Sequence, residues 1–409
     1  MERMKILRII ARLNIGGPAI HTILLTEGLN KQKFESVLVT GVVGHGEADM
    51  SYLAEEKHIN PVIIKEMGRE ISWKDDFIAL WKIFRLLRKE NPDIVHTHTA
   101  KAGTLGRISV IIYNGLLFIK NKKTAKKIKL VHTFHGHVFH GYFRPLKSKI
   151  FAFIERLLAC FSDRIIAISP EQSTDIHSKY CIAPQNKISV ISIGLDLNKC
   201  LNSDVNGNKF RENWKLSNKT TLIGIVGRLV PIKNHKMFLD SIKIISTNYQ
   251  TFDSKFVIIG DGELQENLYH HVVKLGIKED VIFTGWQKDL KEIYAALDIV
   301  ALTSLNEGTP VSVIEAMAAG KAVVSTRVGG VVDLMGKFHK KINSNNIDIY
   351  DNGILVESGD VAGFTEALGL LFEDKSLRDK MGTRGREFVK ERFNIDRLVK
   401  DMEKLYESL

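Results

Sequence analysis

The sequence is poor in cysteine and has none in a metal-binding arrangement. Its three cysteines, Cys160, Cys181 and Cys200, are odd in number and lack the paired spacing of zinc ligands. Free thiols in a reducing compartment are the simplest interpretation, and they exclude a small disulfide-stabilised fold.

Long apolar runs are also missing. No uninterrupted stretch approaches the ~18 apolar residues of a membrane span, so we expect no transmembrane helix. Near the start, Arg8 and Arg12 interrupt the apolar run, which argues against a signal peptide and indicates a first β-strand. The G-x-G-x-x-G fingerprint is absent as well, which disfavours a nicotinamide-dependent oxidoreductase.

Acidic residues are scarce in the first half. Residues 1–190 hold 29 Lys and Arg against 17 Asp and Glu, whereas residues 191–409 hold 29 against 30. The net charge of +11 therefore comes from the first half. One basic half indicates a negatively charged partner, and anionic membrane lipid or a polyprenyl-phosphate carrier would fit. We find no nucleic-acid recognition motif. The basic stretch 117–129 is either an exposed loop or a membrane-surface contact.

Strand-like and helix-like segments alternate along the whole chain of 409 residues. Residues 73–89, for example, carry apolar residues such as Phe77, Trp81 and Phe84 at helical spacing, which predicts an amphipathic helix. The alternation predicts an α/β fold with two doubly wound parallel sheets. We place the first domain at 1–194, the second at 195–390, and a helix at 391–409 packing back towards the first. Ligands of such sheets bind beyond the carboxyl ends of the strands.

The segment 303–330 carries most of the functional information. Thr309 is the predicted N-cap of a helix over 311–319, with Pro310 at its first position and Gly320 as its left-handed stop. Residues 322–326 are the predicted strand that follows, and a Gly-rich turn leaves its end.

Two carboxylates lie eight residues apart in this segment, Glu307 in the loop and Glu315 in the helix. Because the helix is apolar nearly all round, Glu315 is predicted to be buried and to need hydrogen-bond donors. Ligand hydroxyls would supply them, and so would a structural arginine. The free N–H groups of Val311 and Ser312 would form an anion-binding helix start.

Two other strand-end loops are candidate ligand contacts. Gly16 and Gly17 would let the backbone after the first strand approach a ligand closely. Arg228 and Lys233 indicate either a diphosphate clamp or a solvated basic loop.

Four histidines, His132, His135, His137 and His140, follow one strand. A metal site is conceivable, but no recognised ligand spacing is present. One functional histidine is the favoured interpretation.

Several segments in this order resemble the family 4 retaining glycosyltransferases of GT-B architecture, of the bacterial polysaccharide-biosynthesis type. They are NIGGP, VHTHTAKAGTLGR, HTFHGHVF, VISIGLD, GRLVPIKN, VIIGDGEL, VIFTGW, ALTSLNEGTPVSVIEAMAAGKAVVSTRVGG and NGILV. The resemblance covers nearly the whole chain and implies two Rossmann-like domains facing each other across a cleft, with an acceptor side first and a donor side second.

The resemblance also implies residue roles. Glu315 would bind the nucleotide ribose, and Glu307 and His135 would be the catalytic pair beside the donor sugar. The other donor-binding residues would be Gly16, Gly17, Arg228, Lys233, Gly308, Thr309, Pro310 and Val311. Asp333 stands where the family usually has Glu, so we leave it out of the site. No metal or cofactor is expected, because cations and a helix dipole would neutralise the leaving diphosphate.

The expected activity is transfer of a sugar, with retention, from a nucleoside-diphosphate donor to a hydroxyl of a glycan or polyprenyl-diphosphate-linked glycan. The product would be a cell-surface polysaccharide such as lipopolysaccharide or exopolysaccharide. The donor nucleotide is expected to be UDP, since uridine donors are frequent in the family. We expect a cytoplasmic protein, peripheral on the inner face of the membrane. The alternatives are a sugar-nucleotide epimerase or hydrolase of this architecture, and a non-catalytic scaffold that binds sugar nucleotides at the membrane.

Overall fold

A computed structural model describes residues 3–44, 49–68, 70, 72–119, 126–136, 145–201, 207–248, 253–342 and 346–409. The chain forms two compact units. The first comprises Met1–Leu195 together with Asn394–Leu409, and the second comprises Asp196–Phe393.

The first unit is built on a seven-stranded parallel sheet with the order β3-β2-β1-β4-β5-β6-β7. Its strands are β1 (Met4–Ile10), β2 (Phe34–Thr40), β3 (Val62–Ile63), β4 (Ile94–His98), β5 (Lys129–Phe134), β6 (Arg164–Ala167) and β7 (Ile188–Val190). Its helices are α1 (Gly17–Gly28), α2 (Ser51–Glu56), α3 (Trp73–Glu90), α4 (Ala100–Ile119), α5 (Pro145–Phe161) and α6 (Pro170–Thr174).

The second unit is built on an eight-stranded sheet with the order β10-β9-β8-β11-β12-β15-β14-β13. Its strands are β8 (Thr221–Val226), β9 (Ser254–Ile259), β10 (Val281–Gly285), β11 (Ile299–Leu302), β12 (Ala322–Thr326), β13 (Phe338–Ile342), β14 (Ile347–Tyr350) and β15 (Gly353–Val356). Its helices are α7 (Asn198–Leu201), α8 (Asn208–Asn213), α9 (His235–Asn248), α10 (Gln265–Leu275), α11 (Lys291–Ala296), α12 (Val311–Ala318), α13 (Val361–Glu373) and α14 (Lys375–Arg392). The predicted pair of doubly wound α/β sheets is confirmed.

The polar excursion over 337–352 adds two strands to the second sheet. β13 pairs with β14 and β14 with β15, both antiparallel, whereas the other strand pairs of this sheet are parallel. An antiparallel edge on a parallel sheet is common in such folds.

Helix α3 forms as predicted, but only part of its predicted apolar stripe, which also includes Leu80 and Leu87, faces the core. Ala79, Ile83 and Leu87, spaced by four residues, are the buried positions. Phe77 and Trp81 are 70% and 51% exposed. The small Ala79 side chain lets the helix approach its neighbours closely, and this turns the bulky aromatic residues outward.

Helix α4 is long and apolar enough to cross a membrane by length and composition alone. In the first unit it packs against β1, β4 and β5 and lies between α3 and α5. It also buries Arg107, whose Nη2 donates to the Glu155 carboxylate at 2.6 Å. These contacts are those of a core helix of the sheet.

The C-terminal helix (Ile395–Glu407) belongs to the first unit. It packs on α1, and its Leu398 and Met402 enter a core cluster with Ile6 and Leu25.

A buried polar chain ties this helix to the first sheet. Arg8, which is fully buried, donates to the Tyr406 hydroxyl at 3.1 Å, and this hydroxyl lies 2.7 Å from Nδ1 of His96. Because arginine can only donate, the Tyr406 O–H points to His96 Nδ1, and His96 Nε2–H then donates to Thr133 at 2.7 Å. One hydroxyl on the last helix therefore partners groups on two strands of the sheet.

We expect Tyr406→Phe to lower the free energy of unfolding of the first unit by about 2 kcal/mol, since buried partners on Arg8 and His96 lose their hydrogen bonds. Amide hydrogen exchange of β1 and β4 peptides measures the loss. The matched control is Tyr269→Phe, because Tyr269 is exposed on α10 and its hydroxyl makes no hydrogen bond to the described residues. Equal protection in both variants would contradict the role assigned to Tyr406.

Candidate functional site

In the second unit, the loops that follow β8 and β11 are joined at the carboxyl edge of the sheet. The Thr303 hydroxyl donates to the Lys233 carbonyl at 3.1 Å and to the Asn234 carbonyl at 3.0 Å. The Leu305 N–H donates to the Ile232 carbonyl at 2.8 Å. These bonds hold the two predicted ligand-contact loops in one place.

The charged side chains of these loops meet in an ion pair. Lys233 Nζ lies 2.5 Å from Glu307 Oε1, and the Ser304 hydroxyl donates to the same oxygen at 2.6 Å. The Glu307 side chain is only 10% exposed. One carboxylate oxygen is thus held by a cation and a hydroxyl, and the geometry restricts the direction in which Glu307 can present its charge.

A third loop, after β12, packs against the backbone of the Glu307 loop. The Gly330 N–H donates to the Gly308 carbonyl at 2.8 Å. Gly329 has φ of +47°, and a Cβ there would lie 1.9 Å from the Glu307 carbonyl oxygen. Both the dihedral angle and the space therefore require glycine at position 329.

Helix α12 begins at Val311 as predicted, but its N-cap residue is not the predicted one. Pro310, with φ −73° and ψ 116°, is the N-cap residue, and Val311 is the first helical residue. The prediction of Thr309 as N-cap is wrong: its buried hydroxyl has no hydrogen-bond partner among the described residues. The extended backbone of Pro310 ends the loop, so Thr309 lies too far from the first turn to cap it. Gly320 has φ of +73°, as the predicted left-handed stop requires.

Glu315 has a phenol as its partner. The Tyr294 hydroxyl donates to Glu315 Oε2 at 3.0 Å, and no cation among the described residues pairs with this carboxylate. Burial raises the pKa of Glu315 to about 7, although the hydrogen bond from Tyr294 lowers it. Burial, with the nearby Glu315 charge, also raises the pKa of Tyr294. The alternative of a structural arginine is therefore wrong.

Arg228 stands apart from this group. It is exposed, two residues beyond the end of β8, and its guanidinium makes no hydrogen bond or ion pair within the part of the chain that the structure describes. The structure joins Lys233 and Glu307 directly, whereas the Arg228 guanidinium is free to meet a ligand.

The first unit brings a second set of predicted residues to one edge of its sheet. Gly16, with φ of 158°, is the N-cap of α1, and Gly17 is its first residue. His135 follows the last residue of β5 directly. One turn into α1, the His21 ring packs edge-on to the His135 ring with centroids 4.9 Å apart. The glycine loop and His135 thus share one neighbourhood.

His135 belongs to a histidine cluster that the sequence reasoning missed. His98, the last residue of β4, places its Nδ1 2.8 Å from His135 Nε2. Ring nitrogens of His21, His98 and His135 all lie within 4.8 Å of one another, a grouping that could hold a metal ion. Burial lowers the pKa of His135 to about 3 and those of His21 and His98 well below the usual value. The three imidazoles are therefore neutral.

The other histidines of this stretch divide into two groups. His132 is buried within β5, and its Nδ1 lies 2.8 Å from the Thr97 hydroxyl, so it is structural. His137 and His140 lie outside the described residues.

Four contributors were absent from the predicted site: Ser304, Tyr294, His21 and His98. Two of them had a usable signal, since Ser304 and His98 lie at strand ends beside predicted site residues. Tyr294 and His21 lie in helices, and only the tertiary packing reveals them.

Two family comparisons match the two halves of the chain. Residues 15–199 match "Glycosyltransferase Family 4", and residues 206–388 match "Glycosyl transferases group 1". Among curated relatives, the UDP-Gal:alpha-D-GlcNAc-diphosphoundecaprenol alpha-1,3-galactosyltransferase of Escherichia coli is 30% identical over 349 residues, covering 85% of this chain and 84% of that protein. The capsular polysaccharide biosynthesis glycosyltransferase CapM of Staphylococcus aureus is 28% identical over 388 residues, covering 93% and 92%.

Solved structures share the fold. The Anabaena Alr3699/HepE structure in complex with UDP-glucose superposes with a TM-score of 0.77 at 20% identity, covering 100% of both chains. The sucrose-phosphate synthase of Thermosynechococcus elongatus superposes with a TM-score of 0.75 at 18% identity, covering 99% of both chains. Two Rossmann-like sheets, the loops at their carboxyl edges and the sequence match across both units lead to one conclusion: the chain belongs to glycosyltransferase family 4.

Proposed function

We propose that this glycosyltransferase moves a sugar, with retention, from a UDP-sugar to a hydroxyl of a lipid-linked or other glycan in cell-surface polysaccharide synthesis. The observation that carries the proposal is the joined pair of loops in the second unit, where Lys233, Glu307 and the start of α12 occur together. The names of the relatives, which act on a diphosphoundecaprenol-linked sugar or build a capsule, support the choice of acceptor.

Glu315 is proposed to receive the ribose hydroxyls of the nucleotide. A carboxylate with one phenol partner retains hydrogen-bond capacity, because each of its oxygens accepts about two hydrogen bonds. Its raised pKa shows that burial disfavours the charge, and hydroxyl donors from a ligand would offset that cost.

The leaving diphosphate is proposed to meet Arg228, Lys233 and the free N–H groups at the start of α12. Arg228 is exposed, and Lys233 already lies in the loop that Glu307 shares. Cations and a helix N-terminus stabilise the negative charge that develops as the diphosphate departs. The backbone of Gly308, Thr309, Pro310 and Val311 would line the sugar.

Glu307 and His135 are the proposed catalytic residues. Two hydrogen bonds to one Glu307 oxygen favour a carboxylate that positions the sugar and stabilises positive charge, rather than a nucleophile. His135 would act as a neutral hydrogen-bonding group, because its pKa of about 3 leaves it uncharged. Gly16 and Gly17 would contribute backbone at the phosphates and the acceptor.

The protein is proposed to be cytoplasmic and peripheral on the inner face of the membrane, where a lipid-linked acceptor is available. The basic charge of residues 1–190 supports this placement. An epimerase or hydrolase of this architecture would consume donor without acceptor, and a scaffold would not consume it at all, so donor-only and donor-plus-acceptor assays separate the three activities.

We expect binding of UDP-sugars to weaken about tenfold between pH 8 and pH 6, because the Glu315 carboxylate that accepts ribose hydroxyls becomes protonated below its pKa of about 7. Isothermal titration calorimetry measures this dependence, and a UDP-sugar is preferred to UDP because its diphosphate does not titrate in this range. Tyr294→Phe should move the midpoint to higher pH, since it removes the hydrogen bond that favours the charged form. An unchanged profile in Glu315→Gln would rule out the ribose assignment.

We expect Lys233→Met and Glu307→Gln each to lower kcat by about 100-fold while the protein stays folded, because each removes a charge from the proposed donor site. Transfer is followed by mass spectrometry of a lipid-linked acceptor, with circular dichroism as the check on folding. Lys243→Met, on the exposed side of α9, is the matched control and should retain activity within twofold. Full activity in Glu307→Gln would instead place the chemistry at another site, whereas a wild type that transfers no sugar would favour the scaffold.

We further propose that transfer needs no metal. The charged groups acting on His21 include the guanidinium groups of Arg8 and Arg397, which disfavour a further positive charge there. We expect dialysis against EDTA to leave transfer unchanged within twofold, and added Mg²⁺, Mn²⁺ or Zn²⁺ not to increase it. Loss of activity in EDTA with recovery on Zn²⁺ would assign a required metal to the histidine cluster and overturn this proposal.

A further inference from the structure

Three neighbouring helices of the first unit, α3, α4 and α5, expose apolar side chains on their outer faces. The helices pack side by side, and their inner faces enter the core with β4, β5 and β6. We call the outer face of α3, α4 and α5 the helical face. It has no partner among the described residues of the first unit.

Two ridges of large apolar residues follow this helical face. On α3, Trp73, Phe77 and Trp81 repeat every four residues and are 78%, 70% and 51% exposed. On α5, Phe153, Leu157 and Phe161 repeat in the same way and are 50% exposed or more. Residues four apart lie on the same side of a helix, so each set forms a continuous ridge. Exposed apolar groups on this scale mark an interaction surface.

The end of α4 adds to this surface. Its last two residues, Phe118 and Ile119, are 88% and 76% exposed. They lie at the start of the basic stretch 117–129, which the sequence interprets as either an exposed loop or a membrane contact.

Basic side chains lie directly beside the aromatic ones. Lys74 Nζ is 5.3 Å from the Trp73 ring centroid, and the Arg85 guanidinium is 4.7 Å from that of Trp81. Aromatic rings with adjacent cations suit the boundary between lipid headgroups and acyl chains. On α3, Asp76 is paired with Lys101 of α4 at 2.7 Å, whereas Asp75 is exposed.

The charge of the sequence around the helical face favours an anionic partner. Residues 94–154, which contain α4 and the first part of α5, hold 11 Lys and Arg and no Asp or Glu. A second copy of this chain would bring another basic surface to the contact, and like charges would repel. An anionic surface is complementary, and lipid headgroups provide one together with an apolar layer below it.

We propose that the helical face is the membrane-docking surface of this protein. The α3 and α5 ridges enter the headgroup–acyl boundary of an anionic bilayer, and Lys74, Arg85 and Lys149 contact lipid phosphates. The inference refines the peripheral placement in the proposed function by naming the surface and the lipid chemistry. It also explains why the α3 aromatic residues point outward instead of into the core.

The orientation that follows suits a lipid-linked acceptor. Helix α3 follows the end of β3, so Trp73 lies at the carboxyl edge of the first sheet. Gly16 and His135 lie at the same edge. Docking through the helical face therefore places the start of the α3 ridge, which lies at that edge, on the membrane surface where the acceptor is held.

The test is co-sedimentation of the full chain with vesicles of phosphatidylcholine alone and with about one-third phosphatidylglycerol. The variants are the triples Trp73→Gln, Phe77→Ser, Trp81→Gln on α3 and Phe153→Ser, Leu157→Ser, Phe161→Ser on α5. The matched control is Tyr269→Ser, Val273→Ser, an exposed pair four residues apart on α10 in the second unit. Because the substituted side chains are exposed, we expect unchanged circular dichroism and melting temperature in all variants.

The expected result is strong partitioning of the wild type onto anionic vesicles, weaker binding to neutral ones and release by high salt. Each triple should weaken partitioning at least tenfold, whereas the control should stay within twofold. Transfer to a water-soluble acceptor should persist in the triples, so loss of membrane binding is distinguishable from failure of the proposed function. The inference would be overturned if the wild-type protein did not bind anionic vesicles, or if the triple variants bound them as strongly as the wild type. It would also be overturned if analytical ultracentrifugation showed a concentration-dependent dimer of the wild type that the triple variants do not form.

Discussion

The contact between Lys233 and Glu307 is the interaction on which the candidate site of the second unit depends. It joins a loop that follows β8 to a loop that follows β11, and these strands are neighbours in the sheet. The lysine neutralises the carboxylate, and in the proposed function a diphosphate would give the same lysine a second anionic partner. A nearly buried carboxylate would be costly if it stood alone, so the pair keeps the site folded and charged before substrate arrives.

The backbone around this contact is held as firmly as the side chains. Thr303 bonds two carbonyls of the β8 loop, and Gly329 approaches the Glu307 carbonyl more closely than a side chain would permit. Rigid loops of this kind position charged groups at low entropic cost when a ligand binds. The arrangement also explains why the TSLNEGTP and VGG segments act as one structural unit although a helix and a strand separate them.

Sequence alone was sufficient for the sheets and for the strand ends that carry the site. Parallel strands send their loops to one edge, so placing the strands also placed Gly16, His135, Lys233 and Glu307. The apolar surroundings of Glu315 predicted burial, and the side chain is partly buried. Sequence was insufficient where packing between distant segments decides the outcome. The Tyr294 partner of Glu315, the His98 partner of His135 and the outward turn of Phe77 and Trp81 depend on the way in which helices meet their neighbours. The prediction of Thr309 as the N-cap was wrong for a local reason, which is the extended backbone of Pro310.

The buried chain from Arg8 through Tyr406 to His96 has a consequence for biosynthesis. The first strand and the last helix belong to the same unit, while residues 196–393 form the other. During translation, the second unit can complete its core as soon as residues 196–393 have left the ribosome. The first unit must wait, with the Arg8 guanidinium lacking its phenol partner, until residues 394–409 have been synthesised. The second unit can therefore complete its core before the first unit does, although the residues of β1 are translated earlier.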